Sequence, residues 1–158
     1  MIIAISGTPG TGKTEVAKVL AKQLGWKMIE LNGLADEKGL HSGYDKSRKC
    51  KIVDVGGIKK EVARISRSGK NIIIESHYAH DVKNDFTVIL RANPGQLRER
   101  LVSRGWTLRK IEENIQSEIM EVCKSEAMNQ GRNVVEIDTT GKTPVQVSEE
   151  IRKAISRS

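Results

Sequence analysis

Gly7, Gly12, Lys13 and Thr14 stand in the spacing G-x-x-x-x-G-K-[ST], within the stretch GTPGTGKT. Each position answers a need of one chemistry, the cradling of a polyphosphate. Successive backbone N–H groups converge on an anion only where the chain curls tightly. Gly7, Gly10 and Gly12 supply the tolerance of unusual φ that such a curl takes. Lys13 would reach the outer phosphates, and the Thr14 hydroxyl would sit on Mg²⁺. The plain alternative is a Gly-rich turn that fits the pattern by accident. Context argues against it. The apolar MIIAI precedes the loop as a strand, and TEVAKVLAKQLG follows it with Val16, Val19, Leu20 and Leu24 on one helical face. The loop therefore opens onto a helix N-terminus, whose free N–H groups and positive dipole end favour phosphate.

A phosphate loop needs an acid to hold Mg²⁺ and orient the attacking group. The apolar run NIIIES ends in Glu75, with Ser76 and His77 next. Glu75 is the candidate for the metal's shell, against the bland reading of a strand-end surface acid. His77 is the candidate for positioning a water or an acceptor hydroxyl, or for coupling nucleotide state to movement; the bland reading is a hydrogen-bonded scaffold histidine. Phosphoryl transfer also needs cations on the migrating group. Arg104 ends one helical pattern, precedes Gly105 and Trp106, and leads into a second helix. Such a helix–turn–helix can fold over bound phosphates and exclude water. Arg98, Arg100 and Arg109 read as solvated surface charges. Lys142, in the turn TTGKTP, lies where an adenine could pack, or is a plain loop lysine.

The elements that must position these groups alternate. Strands are expected at 1–6, 27–31, 71–76, 85–91 and 133–138. Helices are expected at 14–24, at about 55–68, and from Asn93-Pro94 to about Arg104, where Gly105 stops the pattern. A long helix follows the cap Thr107, with Leu108, Ile111, Ile115, Ile119 and Val122 as its apolar face, and a last one starts at Thr143-Pro144. Residues 32–53 read as irregular and polar. This order predicts a three-layer α/β domain with a five-stranded parallel sheet, its ligand beyond the carboxyl ends of the strands.

At 158 residues the chain is expected to be a single domain, without repeat or linker. No apolar run approaches the ~20 residues of a membrane span, and MIIAI is too short for a signal segment. Cys50 and Cys123 are far apart and form no CxxC, which fits an intracellular, reducing setting and no zinc site. Aromatic content of 3% argues against RNA binding through a sheet of stacking rings. The net charge of +7 is compatible with nucleotides, RNA or a ribosomal surface, or simply with a lysine-rich exterior. The cations do cluster: Lys46, Arg48, Lys49 and Lys51, then Lys59 and Lys60, and separately Arg98, Arg100, Arg104, Arg109 and Lys110.

GYD at 43–45 with Cys50 and Asp54 downstream, ESH at 75–77, and RERLVSRGW running into ENIQSEI at 113–119 join the phosphate loop in one pattern. Over nearly its whole length the chain resembles the adenylate kinase isoenzyme 6 family, a branch of the P-loop nucleoside monophosphate kinases. The resemblance implies a monophosphate-binding segment at about 30–53 and a lid at about 103–113. It implies ATP contacts from Gly10, Gly12, Lys13, Thr14, Glu15 (by backbone) and Arg104, and an acid-x-His motif at Glu75 and His77. Some relatives carry Asp where this chain has Glu75. Many monophosphate kinases place an Arg within the segment Leu34-Ala35-Asp36 to grip the acceptor phosphate; here Asp36 would repel that phosphate, and a basic residue from elsewhere would have to substitute.

The resemblance further implies Mg²⁺ with ATP, transfer to AMP or another monophosphate, and ATP hydrolysis linked to small ribosomal subunit assembly through a ribosomal protein and pre-ribosomal rRNA. The setting would be cytoplasmic, or nuclear in a eukaryotic source, and away from membranes. Three readings follow: a metabolic kinase making two ADP from ATP and AMP; an ATPase switch in ribosome assembly with negligible kinase activity; and a kinase of another small metabolite, for which the 32–53 segment offers only Arg48 to grip a carboxylate.

Overall fold

A computed structural model describes residues 1–130 and 133–157. In chain order the elements are β1 (Ile2–Ser6), α1 (Lys13–Leu24), β2 (Lys27–Glu30), α2 (Leu31–Lys38), β3 (His41–Asp45), β4 (Cys50–Val53), α3 (Val55–Ser66), β5 (Ile72–Glu75), a 3₁₀ turn (Ala79–Asp81), β6 (Phe86–Arg91), α4 (Pro94–Ser103), α5 (Leu108–Ile119), α6 (Val122–Met128), β7 (Asn133–Asp138) and α7 (Pro144–Ile155). Five strands form one sheet in the order β2-β5-β1-β6-β7, and every pairing in it is parallel.

The reason lies in the strands' composition. β1, β5 and β6 are near-continuous aliphatic runs, which suit strands covered on both faces. Side chains alternate across the sheet. Ile3, Ile5, Ile73, Val88 and Leu90 face α1 and α7, meeting Val16, Leu20, Val147 and Ile151. Ala4, Ile72 and Ile74 face α2 and α3, meeting Leu31, Leu34, Ile58 and Val62. The architecture is thus the expected three-layer α/β fold. Helix boundaries follow local chemistry. Asn93 accepts from Gly95 N ahead of Pro94, Thr107 accepts from Lys110 N, and Thr143 forms a capping box with Gln146.

Two expectations fail. Residues 32–53 are not irregular: α2 occupies their start, and β3 pairs antiparallel with β4 in a separate two-stranded sheet. The helix is short and carries Gly33, and the hairpin is largely exposed, so neither shows a long apolar period. The long helix after Thr107 also breaks. Glu121 adopts a left-handed φ of 54°, and α6 restarts at Val122. Leu108 and Ile119, expected on its buried face, are 70% and 61% exposed. Ile111 and Ile115 do pack, against Leu97 and Leu101 of α4, but the next buried position on that face is Glu118, 3% exposed.

Glu118 is buried because it is fully engaged. Its Oε2 accepts from Thr8 Oγ1 at 2.5 Å, and its Oε1 from Arg91 Nε at 2.5 Å and Ala92 N at 3.1 Å. Arg91 Nη2 returns a bond to the Glu118 carbonyl at 2.8 Å, while Nη1 donates to Glu121 and Glu136. Among the described residues no helix is long and apolar enough to cross a membrane.

Removing one partner of a buried ion pair leaves the other charge uncompensated, at a typical cost of ~3–5 kcal/mol. Arg91 keeps two other carboxylates, so Glu118→Ala should lose about 3 kcal/mol of unfolding free energy in urea titration, at the lower end of that range, and Glu118→Gln less. Equal stability of Glu118→Ala and the parent chain would show that the network carries no weight.

Candidate active site

The carboxyl ends of β1, β5 and β2 lie side by side, since Ile5 and Glu30 both pair with Glu75. The loop 7–12 leaves β1 at this edge and enters α1. Gly7 has φ 141°, and a Cβ there would stand 2.4 Å from the Leu90 carbonyl oxygen, so the loop rests on the end of β6. Gly12 needs glycine for a different reason: it holds φ 88° in open space as the N-cap of α1. Arg100 Nη1 donates to Gly10 O at 2.8 Å, Thr139 Oγ1 to Thr11 O at 3.1 Å, and Thr8 is bound by Glu118. The loop is therefore fastened from α4, α5 and the turn after β7.

Lys13 Nζ donates to Gly7 O at 2.9 Å and Thr8 O at 3.1 Å. Burial pushes its ammonium down to about 8, with Arg104 pushing the same way and Glu75 opposing. Thr14 Oγ1 donates to Glu75 Oε1 at 2.8 Å. Burial holds the Glu75 carboxyl above its ordinary value, against the Thr14 bond and the Lys13 charge. His77 opens onto the cleft, its ring edge-to-face with Tyr78 at 5.0 Å. Although the residue is exposed to the cleft, desolvation by the protein around it, ahead of the charges of Lys13, His80 and Lys110, pushes its ring down to about 4, which favours the neutral imidazole at pH 7.

A cleft of about 800 Å³ brings together Gly10, Gly12, Lys13, Thr14, Glu15, Glu75, His77 and Arg104. Arg104 follows the last turn of α4, close enough for its charge to act on Lys13. Lys142 is not on the cleft wall; its Nζ pairs with Glu150 at 2.9 Å, in the turn whose Thr139 fastens the phosphate loop. Asp36, expected to repel an anion, is already partnered. His41 Nε2 lies 2.9 Å from its Oδ1 and Lys51 Nζ 3.4 Å, and these hydrogen bonds hold its carboxyl below the usual range.

Glu30, Asn32, His41, Trp106, Lys110 and Asn114 also line the cleft and were not singled out from sequence. Glu30 ends an apolar strand just as Glu75 does, so the same strand-end argument would have found it. Asn32 and His41 come to the cleft through α2 and the hairpin, elements whose sequence does not announce them, whereas Trp106, Lys110 and Asn114 stand on the expected turn and helix after α4. Thr14 and Glu75 present hard oxygen donors, the set that suits Mg²⁺ when phosphate oxygens and waters complete its shell. Among the described residues no group of three or more His, Cys, Asp or Glu side chains gathers to hold an ion.

A family model described as "AAA domain" matches residues 3–121. A protein named "Putative adenylate kinase" in Thermococcus kodakarensis is 43% identical over 157 residues, covering 99% of this chain and 86% of that one. One of the same name in Methanocaldococcus jannaschii is 37% identical, covering 98% and 86%. Among solved structures, shikimate kinase from Aquifex aeolicus superposes with a TM-score of 0.63 at 16% identity, covering 99% of this chain and 97% of the other. A gluconokinase from Sinorhizobium meliloti does so with a TM-score of 0.63 at 14% identity, covering 98% and 91%. These two likenesses show the fold alone.

With Lys13 near pKa 8, its charge is present below pH 8 and lost above it. A triphosphate that requires the ammonium should bind about tenfold more weakly at pH 9 than at pH 7, measured calorimetrically with Mg²⁺ present. Lys13→Met should bind weakly at both values with no such step. A flat profile for the parent chain would show that Lys13 stays charged throughout.

Proposed function

The chain belongs to the AAA domain family and to the adenylate-kinase-like P-loop kinases of archaea, and we propose that it transfers the γ-phosphoryl group of ATP to AMP, giving two ADP. The observation that carries this reading is the Thr14–Glu75 bond beside Lys13, in a cleft with room for a second ligand opposite the phosphate loop. The backbone of residues 10–15, including Gly10, Gly12 and Glu15, cradles the donor's phosphates. Lys13 and Arg104 stabilise the charge on the transferred group. Lys142 borders the adenine side through its turn. Thr14 and Glu75 would hold Mg²⁺, which would supply charge stabilisation to the phosphate oxygens. His77, neutral, orients the acceptor oxygen by hydrogen bonding. The chemistry is positioning and electrostatics, with no covalent intermediate on the protein.

In this reading the whole chain is one domain. Segment 30–53, as α2 and the β3–β4 hairpin, is the monophosphate wall, and 103–113 is the lid. The free thiols Cys50 and Cys123 agree with work in the cytoplasm. Within the larger group we place the chain in the isoenzyme 6 branch, with ATP hydrolysis serving small ribosomal subunit maturation as a second role. That role is supported by the exposed Lys46, Lys49, Lys59 and Lys60, which lie outside the cleft lining and could meet rRNA or a ribosomal protein.

Product counting separates the activities. With MgATP and AMP, two ADP should form per AMP consumed, without inorganic phosphate, and Lys13→Ala should reduce the rate by at least about 100-fold. Phosphate release with AMP untouched would replace the kinase reading by the ATPase one.

A further inference from the structure

Five of the lysines and arginines among the described residues line the cleft, and they fall into two sets. Lys13, Arg104 and Lys110 stand on the side of the phosphate loop and the α4–α5 turn. Arg48 and Lys51 stand on the facing wall, in the turn and second strand of the hairpin. In the kinase reading Lys13 and Arg104 serve the triphosphate, while Lys110 Nζ lies 3.8 Å over the Trp106 ring. The second set has no anion to serve within the protein beyond the carboxylates on which it rests.

Those carboxylates are exchangeable. Arg48 Nη1 donates to Asp45 at 2.8 Å, and its Nε donates at 3.1 Å to Glu113 of α5, which also takes Arg109 at 3.1 Å. Lys51 rests 3.4 Å from Asp36, which His41 also partners. Asp36 and Glu113 line the cleft, their side chains 63% and 35% exposed, and Arg48 and Lys51 are themselves more than half exposed; an ion pair in such contact with solvent contributes little, and a dianion can displace it. A guanidinium matches a phosphate in fork geometry better than it matches a single carboxylate oxygen. Asp36 does not stand as a bare negative charge on this wall, because Lys51 and His41 already answer it.

We infer that Arg48 and Lys51 grip the phosphate of the acceptor, and that Glu113 holds Arg48 until the acceptor arrives and then yields it. This rests on the kinase reading above and assigns the acceptor end of the site. Glu113 competes with the ligand for Arg48, so removing the two side chains has opposite effects. An Arg48 that merely struts the hairpin against α5 would give the same sign for both, since either change breaks the strut.

The experiment is calorimetric titration of AMP, adenosine and MgATP into the parent chain, Arg48→Ala, Lys51→Ala and Glu113→Gln at fixed ionic strength, with the rate of transfer to AMP alongside. Urea titration checks that each variant is folded; all three sites are at the surface. Arg48→Ala should raise the Kd for AMP about 10- to 100-fold and Lys51→Ala less. Glu113→Gln should lower it about two- to fivefold. Adenosine and MgATP affinities should not change in Arg48→Ala. The assignment is overturned if Arg48→Ala leaves AMP binding intact, if it weakens adenosine as much as AMP, or if Glu113→Gln weakens AMP as Arg48→Ala does. When the parent chain transfers to AMP in any of those cases, only this assignment falls. A parent chain that neither binds AMP nor transfers to it removes the kinase reading as well.

Discussion

The carboxylate of Glu118, buried on α5, takes hydrogen bonds at once from the phosphate loop through Thr8 and from the end of β6 through Arg91 and Ala92. Three pieces of chain far apart in sequence are thereby fixed to one another at the carboxyl edge of the sheet. A charge withdrawn from water is tolerable only when its lone pairs are filled, and Glu118 fills them with groups from the elements it must hold. The satellite core of α4 and α5 sits over the loop for the same reason. Leu97 and Leu101 leave no space for a side chain at Gly10, so helix, loop and strand end are in direct contact. The turn that carries Arg104 is thus set by packing that begins well outside the cleft.

Three groups of the cleft, the buried Lys13 and Glu75 and the more exposed His77, share one electrostatic condition. Lys13 is pushed toward its neutral amine, Glu75 toward its neutral acid and His77 toward its neutral ring. In each, desolvation is the largest cause. Confined space disfavours every isolated charge there, whatever its sign. A ligand that brings phosphates and a divalent cation together supplies the missing counter-charges, so the ionised forms of Lys13 and Glu75 become favourable when the site is filled. Binding therefore changes the electrostatics of the site as well as its occupancy.

Much of this was legible in the sequence because it is local. The loop glycines, the caps Asn93, Thr107 and Thr143, the aliphatic strands and the strand-end Glu75 each depend on residues within a few positions of one another. What was not legible depends on partners far along the chain. The apolar face of α5 could be counted as Ile111, Ile115, Ile119, but that Glu118 would be the buried residue follows from Arg91, on a strand 27 residues earlier. The hairpin lacks alternation because its sheet has no buried face. Asp36 reads as a repelling charge until Lys51 and His41 are seen beside it.

The hairpin joins no strand of the main sheet. A two-stranded ribbon of this size is marginally stable by itself in water, and this one is tied to the rest at its base, by the packing of Val53 and the adjoining Leu40 and by the Asp54 N to Leu40 O bond, and at its edge by exposed ion pairs. The five-stranded sheet, by contrast, is covered on both faces by aliphatic side chains. The chain accordingly carries two cooperative units of unequal free energy. The lesser can open and reclose without disturbing the greater, so the amide protons of residues 41–53 are open to exchange through local fluctuation, while those of β1, β5 and β6 wait for global unfolding.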